Sequence, residues 1–185
     1  MAKRVLVPIA DGTEEIEAAC IIDTLRRAGA EVTVASVGKL QVTASRGVKL
    51  VADTLIVNCT SQTYDCIALP GGMPGAEHLR DSTELIAMLK KQKAAGRLYA
   101  AICASPAVAL LPHGLLDGVT ATCYPAMRSK LNPALASDER VVVDGNCVTS
   151  QGPGTAIEFA LKLIEELYGP QKAKEVADPM LVTVR

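Results

Sequence analysis

The chain has 185 residues, with 20 acidic and 19 basic side chains, a formal net charge of −1 and no Trp. That length suits one domain, residues 1–185, with a core of Ala, Val, Leu and Ile large enough to fold without a metal or disulfide. The balanced, scattered charge argues against a protein that holds nucleic acid or a membrane surface by bulk charge.

The opening stretch "MAKRVLVPIADG" carries an apolar run that stops at Asp11-Gly12. It is too short for a signal-peptide core, and no run reaches membrane-spanning length, so a soluble cytoplasmic protein is expected. "KRVLVPI" reads as a buried strand, and a helix over about Thr13 to Ala28 follows, ended by Gly29. "EVTVASV" is a second strand, and "LQVTAS" and "VKLVAD", split by Arg46-Gly47, form a small hairpin. "YDCIALP" is another strand; it leads into "GGMPG" and a helix over about Thr83 to Ala95. "LYAAI" is a strand and "SPAVALL" the start of its helix. Short strands are expected near 119–122, 140–143 and 147–149, then helices over about 154–168 and 172–176. Apolar strands alternating with helices define an α/β domain with a doubly wound, mostly parallel sheet and helices on both faces. In such sheets the site lies beyond the carboxyl ends of the strands, here the loops that begin at Asp11, Pro70, Cys103, Tyr124 and Gln151.

One of those loops holds a thiol. Cys103 sits between "AAI" and "ASP", with Pro106 suited to a first helical turn. That pattern follows the logic of a nucleophile elbow, although the flanks are Ala101 and Ser105 where hydrolases have glycine. At a helix N-terminus the thiolate would be favoured, its pKa lowered, and the Ala104 amide would point at a developing oxyanion. The same residue could equally be an ordinary buried cysteine at a strand end. In the first helix, Glu17 shares a stripe with Ile21, Leu25 and Ala28, whereas Glu14 and Glu15 suit an exposed first turn. A carboxyl on such a stripe has its pKa raised by desolvation and can exchange a proton with a thiolate, unless it is simply a surface acid. "PGGMPG" (70–75) allows close backbone approach and could complete an oxyanion hole, or serve only as a turn. "SQGPGT" (150–155) joins a strand to a helix at the same edge, and Arg27 and Arg46 could offer cations to a small anion.

The six cysteines form no CxxC pair, and His78 and His113 stand in no zinc spacing, so no metal site is expected. Cys20, Cys59, Cys66, Cys123 and Cys147 read as reduced, buried thiols, with Cys123 also adjoining the pocket loop.

Taken together, "DGTEEIEA", "SRGVKLVAD", "LPGGMPGA", "AAICASPA" and "TSQGPGTAIEFAL" resemble the ThiJ/PfpI family over essentially the whole chain. The likeness is to the branch that holds the YajL-like and parkinsonism-associated deglycase proteins. That resemblance implies a flavodoxin-like fold, a homodimer, and no cofactor. It implies that Cys103 is the reactive cysteine and Glu17 its protonated partner, with the Gly72 and Ala104 amides holding the oxyanion. Gly71, Tyr124, Arg27, Arg46, Ser150 and Pro153 then fall around the pocket. Several members carry a His where this chain has Tyr124, which would hydrogen-bond and not shuttle protons near pH 7.

Two functions follow from the resemblance. One is a cysteine-dependent hydrolase of dicarbonyls and their protein adducts, converting methylglyoxal to lactate or glyoxal to glycolate. The other is a redox-sensing chaperone, in which oxidation of Cys103 switches the binding of unfolded clients. A PfpI-type peptidase would place His directly after the nucleophile, where Ala104 stands. An amidotransferase would need a His-x-Glu pair that neither His78 nor His113 begins.

Overall fold

The computed structural model describes residues 2–183. Strand β1 (Arg4–Ile9) is apolar and buried along nearly its whole length, as a central parallel strand must be. It pairs with β2 (Glu31–Ser36) over six residues but with β6 (Cys66–Leu69) only at Val5–Cys66 and Leu6–Ile67. Pro8 has no amide hydrogen to give, and beyond Leu6 these two central strands part. β7 (Leu98–Ile102) and β9 (Cys147–Ser150) continue the parallel sheet. β5 (Thr54–Leu55) and the antiparallel β8 (Val141–Asp144) form its edges. The order is β5-β2-β1-β6-β7-β9-β8. Its central run, in chain order 2-1-3-4-5, is the flavodoxin-like winding, so this part of the reading holds. β3 (Gln41–Thr43) and β4 (Lys49–Val51) form the expected separate hairpin around Arg46-Gly47.

The period of two along each strand sorts its side chains into two cores. Val5, Val7 and Ile9, with Cys66, Ala68, Ala100 and Ile102, face α1 (Glu15–Arg27) and α4 (Ala156–Tyr168), on which α5 (Pro170–Ala177) packs. Leu6, Ile67, Leu69, Tyr99 and Ala101 face α2 (Gly75–Asp81) and α3 (Thr83–Ala94). Within α1, Ala18, Ile21 and Leu25 are fully buried on the face that also carries Glu17. Each large aliphatic side chain so covered contributes about 1.5–3 kcal/mol.

Three expectations need correction. The segment after "GGMPG" holds two helices, because Ser82 caps α3 through Leu85 N–H and ends α2 one residue before it. No strand forms over 119–122; Ala121 makes a single bridge to Ala136. The helix after Cys103 is short and irregular, a wide π-turn over Pro106–Leu110 followed by a tighter turn over Leu111–His113. No helix among the described residues is long and apolar enough to cross a membrane.

Candidate functional site

Where β1 and β6 part, three loops meet at the carboxyl edge of the sheet. Glu14 caps α1, its Oε2 accepting the Glu17 N–H at 2.8 Å, and the helix then turns Glu17 inward until it is fully buried. Its carboxyl Oε2 accepts the Gly71 N–H at 2.7 Å. Oε1 is buried with no hydrogen bond of ordinary geometry. The Cys103 thiol faces the same carboxyl closely enough for each group to alter the other's proton affinity. A Cβ at Gly71 would stand 2.6 Å from Cys103 Cβ and 2.9 Å from Glu17 Oε2, so only glycine lets thiol and carboxyl meet here.

Cys103 directly follows β7 with φ at +64°, a left-handed conformation that costs a non-glycine residue roughly 1–3 kcal/mol. The surroundings hold it there: its N–H donates to Ser150 O at 3.0 Å, and its carbonyl accepts the Tyr124 N–H at 2.7 Å. The elbow expected at this position is therefore present. The sulfur, in a residue only 8% exposed, lies near enough to the Gly72 and Ala104 amides for both to favour charge on it. Two donors fixed at one point can hold a negative charge on sulfur or on an oxygen formed beside it.

The electrostatics differ from expectation. Burial, then the Glu17 carboxylate, push the Cys103 thiol up to about 12, against the pull of the two amides. A helix N-terminus was expected to lower it, but the turn is too short to outweigh desolvation. Burial likewise raises Glu17 to about 7, against the pull of the Gly71 amide and the thiol, with the Glu14 charge adding to the rise. The two groups titrate as a pair. Between about pH 7 and 12 the pair holds one proton and one negative charge, and a thiolate beside a protonated carboxyl is one of its two forms.

The remaining expected residues divide into those the fold brings close and those it does not. Gly71 and Gly72 lie at the centre; Gly72 has φ +91°, and a side chain there would run into Glu14 N and Gly12 O. Tyr124 is 44% exposed at the mouth, its ring over Gly152, where a Cβ would lie 3.6 Å from Tyr124 Cδ2. Ser150 offers its carbonyl to the elbow, while its hydroxyl is engaged with Arg140 O at 2.7 Å and the Thr155 hydroxyl at 2.6 Å. Pro153 opens the short turn Pro153–Thr155 beside it. Arg46 is tied to the first turn of α1, its N–H bonded to Glu15 Oε1 at 2.8 Å, while its guanidinium bonds Ser45 O at 3.3 Å. Arg27 is not brought to the site. It is ten residues beyond Glu17, about 15 Å along the helix, and pairs with Asp23 at 2.6 Å in solvent.

Two features escaped the sequence reading. Glu15, expected in solvent, is buried and ties α1 to the hairpin loop through Ser45 Oγ and Arg46 N–H, both at 2.8 Å. Ser105 is fully buried, and its hydroxyl donates to Pro70 O at 2.6 Å. The signal for it was a small polar side chain between an elbow cysteine and a proline. Among the described residues, no three His, Cys, Asp or Glu side chains gather as a metal site would require.

Fold and site define a flavodoxin-like α/β protein with a cysteine on a strained strand-to-helix turn and a buried carboxyl as its partner. The DJ-1/PfpI family profile matches residues 3–166, and the chain belongs to that family, in its DJ-1 branch. Protein DJ-1 homolog B of Arabidopsis thaliana is 53% identical over 180 residues, covering 97% of this chain and 41% of the plant protein. The chain thus spans less than half of that relative. The solved structure of oxidized Toxoplasma gondii DJ-1 is 57% identical, with a TM-score of 0.97 over 98% of this chain and 100% of that one. A Caenorhabditis elegans relative named glutathione-independent glyoxalase DJR-1.2 is 36% identical over 178 residues, 95% of this chain and 94% of that protein. The family therefore includes a glutathione-independent glyoxalase.

Proposed function

We propose that this protein is a cysteine-dependent glyoxalase that converts methylglyoxal to lactate without glutathione. The observation that carries the reading is the buried Cys103–Glu17 pair, with one proton between them and two amides on the sulfur. The thiolate adds to the aldehyde carbon, and the displaced π electrons settle on oxygen against the Gly72 and Ala104 amides. That oxygen takes the proton held by Glu17, giving a hemithioacetal. Glu17, now a carboxylate, removes the hydrogen of C1 as a proton and returns it to C2 through an enediol, leaving a lactoyl thioester. One water then cleaves the thioester, releasing lactate and a proton and restoring the thiol. C1 is oxidised and C2 reduced within the same molecule, so one aldehyde and one water become one lactate and one proton. Early adducts of such aldehydes on protein amines, guanidines and thiols form reversibly, so removing free aldehyde also clears them. This is how the reading extends to protein deglycation.

The test is lactate formation from methylglyoxal, without glutathione, by the wild type and Cys103→Ser. Production by the wild type alone supports the reading, and equal production by both removes Cys103 as nucleophile. No lactate above the uncatalysed background in either overturns the glyoxalase.

A second reading draws on the same amides, which would equally stabilise a sulfinate on Cys103, and on a close relative whose structure is described as oxidized. There, oxidation by peroxide is the functional event and switches the binding of unfolded clients. A Cys103 that takes up two oxygens without substrate turnover would favour it.

The assembly we infer is a homodimer. Ile16 on the first turn of α1 and Leu40, Val48 and Val51 on the adjoining hairpin are all about half exposed or more, and Glu15 ties these two elements together. A second copy covering this apolar face predicts that Val51→Asp halves the mass found by light scattering. A wild-type monomer would overturn it.

A further inference from the structure

Three polar groups, the Ser105 hydroxyl, the Glu17 carboxyl and the Glu14 N–H, fix the loop that lies between Cys103 and Glu17, and the hydroxyl has no part in the chemistry above. The peptide unit joining Pro70 and Gly71 is held at both edges. Its carbonyl accepts from Ser105 Oγ at 2.6 Å, and its N–H donates to Glu17 Oε2 at 2.7 Å. The following peptide unit is held through Gly71 O, which accepts the Glu14 N–H at 2.9 Å. A trans peptide is flat with its C=O and N–H on opposite edges, so the Gly72 N–H is turned away from Glu14 and toward the sulfur. Ser105 is itself two residues after Cys103, on the turn that carries the Ala104 amide. It is the one side chain on that turn with a hydrogen bond to the glycine loop, and it is completely buried, so no water competes for the bond.

We propose that Ser105 is a positioning residue: through the Pro70–Gly71 peptide its hydroxyl holds the Glu17 carboxyl, and through the next peptide the Gly72 amide, against Cys103. Two physical effects make the hydroxyl more than filler. Donation to a peptide carbonyl polarises the unit and makes its N–H a stronger donor, here to Glu17. The short bond also sets the spacing between the two strands' loops, and with it the gap between the Gly72 and Ala104 amides that receive the developing charge. Without the hydroxyl, Pro70 O is left buried and unpaired, the loop can drift from the elbow, and Glu17 receives a weaker hydrogen bond. The ionisable groups that face Glu17 are Cys103 across the site, Glu14 at the start of its own helix and Cys20 one turn on.

This inference rests on the Cys103–Glu17 pairing of the preceding section, and the experiment separates the two. The rate at which iodoacetamide alkylates Cys103, read on the Cys103 peptide by mass spectrometry, is followed from pH 5 to 10. It is measured in the wild type, Ser105→Ala, Ser105→Thr, Glu17→Gln and the Ser105→Ala/Glu17→Gln double variant. The expected result is an acid limb whose midpoint rises by about half a pH unit in Ser105→Ala, since a weaker donor leaves Glu17 holding its proton more tightly. Ser105→Thr, which keeps the hydroxyl, restores the midpoint. In the Glu17→Gln background the Ser105 change has a clearly smaller effect on it, carried only by the Gly72 amide. If Ser105→Ala does not fold, Ser105→Cys, with a weaker donor of similar size, is expected to show the same shift at smaller amplitude. A midpoint unmoved in Ser105→Ala while Glu17→Gln moves it overturns the role of Ser105 and leaves the pairing standing. A shift that persists undiminished without Glu17 also overturns it, because the effect then bypasses the carboxyl altogether. A midpoint that Glu17→Gln leaves unmoved overturns the pairing and this inference together.

Discussion

Two buried cysteines on the same side of the sheet have opposite surroundings. Cys66 begins β6 and Cys103 follows the last residue of β7, and both project into the core shared with α1 and α4. Cys66 has no hydrogen bond to its sulfur among the described residues. Burial, reinforced by Asp65, drives its thiol far above the ordinary range. Cys103 is also raised by burial, yet two nearby amides pull the other way and a carboxyl stands close enough to take its proton. The contrast teaches that depth alone makes a thiol inert. What sets Cys103 apart is its polar neighbours, a carboxyl that shares one proton with the thiol and amides that favour charge on the sulfur.

Breaking the comparison at its reactive end gives the largest effect. Cys103→Ser is expected to lower kcat/KM for methylglyoxal by at least about 10³-fold, as loss of a covalent nucleophile does. Steady-state lactate assays check it.

Next comes the backbone that lets the pair meet. Gly72→Ala forces a side chain onto Glu14 N and Gly12 O at φ +91°, whereas Gly96, at φ +66°, has open space around it. Urea unfolding is expected to show a loss of about 4 kcal/mol for Gly72→Ala. For Gly96→Ala it is expected to show about 1 kcal/mol.

The third expectation concerns pH. Glu17 moves from 4.5 to about 7 on folding. Since the folded value is the higher, its contribution to stability is complete below pH 4.5 and is lost as pH rises through about 7. The loss is about 3 kcal/mol. The stability difference between wild type and Glu17→Gln is expected to shift by that amount against the wild type between pH 4.5 and 8. A difference that stays constant over this window would mean that Glu17 is not held in a charge-averse place. At the inert end the effect is smallest. Cys66→Ala is expected to cost about 1 kcal/mol in urea unfolding and to leave lactate formation unchanged.

Much of this arrangement was legible in the chain. Alternating apolar strands and helices carried the winding, and "AAICASP" announced the turn at Cys103. The i, i+4 stripe through Glu17, Ile21 and Leu25 pointed its carboxyl inward. What stayed hidden depends on three-dimensional distance. Arg27 belongs to the helix that bears Glu17, but a helix also carries its residues away from the sheet edge at 1.5 Å each. The strength of desolvation at Cys103 could not be weighed against a helix terminus before the depth of the thiol and the shortness of the turn were known. Glu15 looked like a solvent residue because its partners, Ser45 and Arg46, come from a hairpin 30 residues on. Ser105 met Pro70 only after β6 and β7 were laid side by side, Leu69 against Ala101.

That register also bears on when the site comes into being. Glu17, Gly72 and Cys103 follow three different strands, and Ser150, which holds the elbow's amide, ends a fourth. No contiguous stretch of chain contains the pair, so a growing or partly unfolded polypeptide carries only an ordinary cysteine at this position. Completion of the sheet buries that thiol, raises its proton affinity and sets it against the Glu17 carboxyl. The pH dependence of labelling at Cys103 therefore separates the two populations, ordinary thiol in unfinished chains and Glu17-coupled thiol in native ones, and gauges how much of a sample is native.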